Sequence, residues 1–223
     1  MRDLLPVPRP LLVAFVVAAV LNVVSVATGV TWLERVTKPL LCGLLLLWAW
    51  VACERRPPGL LMAGLVAALA GDELLGPDGS LWFLAGMVAF LVMQVCYVVG
   101  FLRLGAADRL RSVRWVPAGW ALLWLVLNVV LGPLLGALQV PIAVYSAALV
   151  TMAACSVATG SRRIGVGGVL FLVSDLLIGL GAADLHVPAS GVLVMTTYSL
   201  AQLLIVTGWV LAVREPSRSR MRT

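Results

Sequence analysis

The chain has 223 residues, 62% of them hydrophobic and 12% charged, with a net charge of +6. Soluble domains carry about 25% charged residues, so this composition, with a mean hydropathy of +1.07, excludes a water-soluble enzyme and points to helices in a membrane. The positive charge is not a nucleic-acid signature, because the basic residues lie between and after the apolar runs rather than in one patch.

In chain order, hydropathy predicts an all-α polytopic membrane protein, one integral domain over residues 1–223. Its eight transmembrane helices fall near 11–29, 38–53, 59–76, 81–102, 115–132, 138–158, 164–182 and 190–213, with a basic tail over 214–223. The first run follows Arg2 and Arg9 as a secretion signal would, but it has spanning length and is read as a retained helix. Turn residues separate the runs: Pro57-Pro58-Gly59, Gly76-Pro77-Asp78-Gly79, Gly160-Ser161 and His186-Val187-Pro188. Lys38-Pro39 reads as a helix start, with proline in the first turn.

With eight spans, one face of the membrane receives Arg2, Arg9, Arg55, Arg56, Arg103, Arg109, Arg111, Arg114, Arg162, Arg163, Arg214, Arg218, Arg220 and Arg222. The other receives only Arg35 and Lys38. Fourteen against two places both termini in the cytoplasm of a cell whose inner membrane holds the protein. The basic tail is then a solvated end able to touch anionic lipid.

Two acids interrupt apolar runs in the same local frame: Gly71-Asp72-Glu73-Leu74-Leu75-Gly76 and Ser174-Asp175-Leu176-Leu177-Ile178-Gly179. A carboxylate inside a spanning helix costs about 2.5–3.5 kcal/mol on insertion scales. A chain carrying that cost twice is expected to use Asp72 and Asp175 together. At 1.5 Å per residue, Asp175 lies ~16 Å along its helix from Ile164 and Asp72 ~20 Å from Gly59, so both belong to the outer half of the bilayer, with Lys38 at a matching depth. Glu73 points about 100° away round the helix and is read as interfacial.

The frame extends further. Phe90-x3-Gln94-x5-Gly100 recurs as Tyr198-x3-Gln202-x5-Gly208, which suggests a four-plus-four parallel duplication bringing two Asp and two Gln to one cavity. Gln94 and Tyr97 share a helix face, as do Tyr198 and Gln202, either to line a site or to tie helices together. Tyr145 and Met152 lie two turns apart, lining the cavity or packing in the core. Trp48, Trp50, Trp82, Trp115 and Trp209 read as interface belts. Cys42, Cys53, Cys96 and Cys155 sit in apolar runs and read as small core residues.

Several chemistries are excluded. His186 is the only histidine, so a multi-histidine zinc site cannot be built, and no metal or other cofactor is expected. There is no G-x-S-x-G nucleophile turn and no phosphate-binding glycine loop. If the two acids face each other they share one proton, giving a general acid beside a carboxylate.

Lys38-Pro39, Gly71-Asp72 with Leu74-Leu75, Phe83-x2-Gly86, Phe90-x6-Tyr97, Tyr145-x6-Met152, Phe171-x2-Ser174-Asp175 and Ala201-Gln202 together resemble the YhhN-like lysoplasmalogenase family over roughly residues 36 to 210. The resemblance implies an eight-span enzyme that hydrolyses the vinyl ether of a lysophospholipid within the bilayer. The expected products are a fatty aldehyde and a glycerophospho-alcohol. It marks Asp72 and Asp175 as the catalytic pair, the roles of acid and base unassigned. Lys38, Gln94, Tyr97, Tyr145, Ser174, Tyr198 and Gln202 are the expected substrate-binding residues. Gln94 stands where many members carry histidine, and it can hydrogen-bond without transferring a proton. Two other readings fit the same residues: a small proton-coupled transporter with the acids between two repeats, and a non-catalytic lipid-binding membrane protein.

Overall fold

The computed structural model describes residues 9–54, 57–76, 79–112 and 115–220, with side chains as far as Arg214. Arg2, Arg55, Arg56, Arg114, Arg222, the Pro77-Asp78 turn and the side chains of Arg218 and Arg220 lie outside the described residues. All regular structure among the described residues is helical: α1 (Arg9–Thr28), α2 (Thr31–Ala52), α3 (Gly59–Leu74), α4 (Ser80–Phe101), α5 (Ala107–Ser112), α6 (Trp115–Leu131), α7 (Gln139–Ala158), α8 (Arg162–Ala182) and α9 (Ser190–Arg220). A π-turn over Leu102–Ala106 joins α4 to α5, and short 3-10 turns lead from α6 to α7. Seven helical segments are long and apolar enough to cross a membrane. The protein is a multi-pass helical membrane protein.

α3 has 16 residues, about 24 Å at 1.5 Å per residue, against a hydrocarbon core of about 30 Å. It ends two residues after Asp72, so this acid sits in the last turn of its helix. α2 corrects the expected boundary. It begins at Thr31, and Lys38-Pro39 lies well inside it rather than at its start. Glu34, Arg35 and Lys38 lower the local hydropathy, yet the buried faces of Thr37, Leu41 and Leu45 continue one helical stripe through them. α9 continues to Arg220, so the start of the expected tail is helical.

α3 packs along α4, and α8 along α9, more extensively than any other pair. Small residues permit the approach. A Cβ on Gly64 would stand 2.5 Å from the Tyr97 ring, and one on Gly167 would stand 2.9 Å from the Ala201 carbonyl oxygen. With no hydrophobic drive between helices in lipid, this close backbone packing is what binds them. These contacts also recur in one frame. Gly64 lies eight residues before Asp72 and Gly167 eight before Asp175, while Tyr97 and Ile205 each follow their counterparts Phe90 and Tyr198 by seven. α4 also packs on α7, and α9 on α2.

Two aromatic clusters fill the centre. Phe90, Phe171 and Tyr198 meet edge to face at 5.7–6.2 Å, and Tyr97, Phe101 and Trp209 meet at 5.2–5.9 Å. Trp48 and Trp209 are buried in this core and are not interface residues, whereas Trp50, Trp82 and Trp115 are exposed. Hydropathy locates a tryptophan along a span but not on which side of the helix it falls. α6 is set apart: it has no buried residue and packs mainly on α7.

Candidate active site

At the end of the bundle where α3, α6 and α8 finish and α2 and α7 begin, side chains from seven helices line one cavity that opens at a mouth. Its wall is mostly apolar, with Leu75, Met87, Leu127, Ile142 and Leu172 among its members. Lys38, Asp72, Tyr145, Ser174, Asp175 and Tyr198 all line it.

Asp72 is 4% exposed and has three partners. Its Oδ2 accepts hydrogen bonds from the Tyr198 hydroxyl at 2.6 Å and from the Cys42 thiol at 3.7 Å. Its Oδ1 faces the Lys38 ammonium at 4.0 Å. Tyr198 is aimed by packing, because Phe90 and Phe171 hold its ring edge-on from α4 and α8. A charge this deep is tolerated only when paired and hydrogen-bonded, and Asp72 has both kinds of partner.

Asp175 is held differently. Its Oδ2 accepts a hydrogen bond from the Tyr145 hydroxyl at 2.5 Å, and among the described residues no cation stands against it. It is half-buried and opens to the cavity. No hydrogen bond joins the two carboxyls among the described residues; each is held by a tyrosine from another helix. Both acids line the one cavity, each fixed by its own tyrosine.

The remaining expected residues divide. Ser174 lines the cavity but donates its hydroxyl to the Val194 carbonyl of α9 at 3.1 Å, tying two helices together. Tyr97 and Gln202 lie behind the wall: the Tyr97 hydroxyl donates to Gln202 Oε1 at 2.9 Å, and Gln202 Nε2 donates to the Met93 sulfur at 3.5 Å. Gln94 is fully buried with neither amide atom paired, beside the Tyr145 hydroxyl but without a hydrogen bond to it. Met152 is core, and Glu73 is exposed.

Sequence reasoning missed Cys42, which touches both Asp72 and Tyr198. A signal was present: Cys42 precedes Asp72 by 30 residues and Tyr145 precedes Asp175 by 30, so each acid meets the residue at one fixed offset. It also missed Trp124, Asn128 and Ser146, a polar group on the α6–α7 wall. A lone asparagine in an apolar span was the available clue there.

The chain is 30% identical over 175 residues to a lysoplasmalogenase of Mycobacterium bovis, covering 73% of this chain and 65% of that protein. It is 31% identical over 195 residues to the lysoplasmalogenase TMEM86B of Rattus norvegicus, covering 83% of this chain and 76% of that protein. Over 166 residues it is 31% identical to the lysoplasmalogenase TMEM86A of Bos taurus, covering 70% and 67%. The chain thus spans about two thirds of the length of the mycobacterial relative. No solved structure matches. The YhhN family pattern matches residues 33–209, from the first turn of α2 to the aromatic cluster on α9, and so takes in both aspartates, both tyrosines that hold them and Lys38: the chain belongs to the YhhN family.

Proposed function

We propose that the cavity hydrolyses the vinyl ether bond of lysoplasmalogen-type lysophospholipids, releasing a fatty aldehyde and a glycerophospho-alcohol. The observation that carries this reading is the unequal pairing of two carboxyls in one apolar cavity: Asp72 against Lys38, Tyr198 and Cys42, Asp175 against Tyr145 alone. A vinyl ether needs a proton delivered to carbon and an anion beside the cation that results. Asp72, with a cation and two donors, is the carboxylate. Asp175, with one donor and no cation among the described residues, carries the proton.

The steps balance on these two groups. Asp175 gives its proton to the second carbon of the alkenyl chain, leaving an oxocarbenium ion at the first. Water adds there and passes a proton to Asp72, forming a hemiacetal. In its collapse the hemiacetal hydroxyl returns a proton to Asp175, Asp72 protonates the departing glycerol oxygen, and both acids regain their starting states. The apolar wall excludes bulk water, strengthening the interaction between carboxylate and cation. The relatives called lysoplasmalogenase support the substrate class.

The surplus of basic residues on alternate loops supports both termini in the cytoplasm and the acid pair in the outer half of an inner membrane. A duplicated four-helix unit is supported by the recurring Gly64–Tyr97 and Gly167–Ile205 contacts. The deciding experiment gives purified protein a 1-alkenyl lysophospholipid and assays aldehyde. Aldehyde formation that disappears in Asp175→Asn is expected; no aldehyde from wild type would sink the reading.

A further inference from the structure

Beside α8, which carries Asp175, α7 and its neighbour α6 contribute a second polar group to the same cavity. The Trp124 indole N–H donates to Ser146 Oγ at 3.1 Å and lies 3.2 Å from the Ala143 carbonyl oxygen. Ser146 Oγ donates to that Ala143 oxygen at 3.1 Å. Asn128 Nδ2 donates to Ser146 Oγ at 3.2 Å and to the Trp124 carbonyl oxygen at 2.9 Å.

This network settles which way the Asn128 amide faces. An amide NH₂ has two donor hydrogens, and here both are taken, one by a hydroxyl and one by a backbone carbonyl. Flipping the amide would set its oxygen against the Trp124 carbonyl oxygen. Asn128 Oδ1 is left with no hydrogen bond among the described residues, and it is not among the side-chain atoms sealed from any accessible surface. An unused acceptor that opens on an apolar cavity is free to take a donor from whatever fills it, and a ligand that displaces water there must replace that bond.

We infer that Asn128 reads the free sn-2 hydroxyl of the lysolipid, making it the residue that selects one-chain over two-chain substrates; this rests on the hydrolase reading above. Ser146 follows Tyr145 directly in α7, and Asn128, Ser146, Tyr145 and Asp175 all line the same cavity. In a 1-alkenyl lysophospholipid, the sn-2 oxygen is attached two carbons from the ether oxygen. A lipid with its double bond at Asp175 therefore presents its one glycerol hydroxyl close by. A two-chain lipid has an ester at that position. The ester has no hydrogen to donate, sets its oxygen against Asn128 Oδ1, and brings a second chain. A site built to bond a substrate hydroxyl rejects an analogue lacking it far more strongly than an apolar pocket can discriminate by size.

The test compares aldehyde release from a 1-alkenyl-2-hydroxy lysophospholipid and from its 2-deoxy analogue. Wild type is expected to favour the hydroxyl-bearing lipid in kcat/KM by on the order of 10- to 100-fold, and in Asn128→Leu that ratio falls towards one. Ser146→Ala, which frees one amide hydrogen and lets Asn128 turn, should lower the ratio part of the way. If wild type cleaves both lipids equally well, the inference is overturned while the hydrolase reading stands, and this arm needs no variant to fold. An Asn128→Leu protein slowed equally on both lipids would reduce Asn128 to a structural tie and overturn it too. Should wild type cleave neither lipid, the hydrolase reading falls first and takes this one with it.

Discussion

The Tyr198 hydroxyl meets Asp72 Oδ2 at 2.6 Å across 126 residues of chain. This bond joins the last turn of α3 to the third turn of α9, and Cys42 of α2 touches both of its ends. Tyr145 makes the corresponding bond to Asp175 from α7. Each acid thus has its own hydroxyl donor, but among the described residues only Asp72 also has a cation.

The unequal pairing separates the two acids experimentally. Asp72→Asn and Asp175→Asn should each lower aldehyde release by about 100-fold or more, the scale of a lost general acid or base. Lys38→Met should cost less, about 10-fold, because the two hydrogen bonds to Asp72 remain. Turnover measured beside a thermal melt checks this. A Lys38→Met protein as inactive as Asp72→Asn would mean that the ammonium itself acts in the chemistry.

Protonation at carbon leaves a label. In deuterated water the aldehyde should carry one deuterium at its second carbon, read by mass spectrometry before the free aldehyde enolises. A 1-alkyl lysolipid should be untouched, since it has no double bond to protonate. Fatty acid released from a 1-acyl lysolipid at a comparable rate would indicate ester hydrolysis and contradict the mechanism.

Close packing of α3 on α4 predicts a stability effect remote from the acids. Gly64→Val would place new atoms against the Tyr97 ring, where a Cβ alone already meets it at 2.5 Å. Overpacking of this kind costs about 1–3 kcal/mol, so the melting temperature in detergent should drop. Gly59→Ala, where a Cβ meets nothing within 4 Å, should leave it nearly unchanged. Equal melting temperatures for Gly64→Val and wild type would argue against the α3–α4 contact.

Orientation is open to reporters. A fusion after Thr223 should read as cytoplasmic, and a tag in the Asp184–Pro188 loop as external. The reverse result would move the acid pair to the inner half of the bilayer.

What depends on composition summed along one segment was legible before any fold was known. α3 begins at Gly59 as expected, because it follows a polar, proline-containing break in an apolar chain. Asp72 and Asp175 stand out for the same local reason: a carboxyl in a hydrocarbon span is costly wherever it points. Only the tertiary structure decided which side of each helix faces which neighbour. Trp48 and Trp209 are indistinguishable by hydropathy from the exposed Trp50 and Trp82, yet they are core. Gln94, Tyr97 and Gln202 share their helices with cavity residues but sit behind its wall. Cys42 against Asp72, Tyr145 against Asp175 and the pinned amide of Asn128 are pairings between helices. They are set by which small residues let two backbones approach, and hydropathy summed along one segment carries no record of that approach.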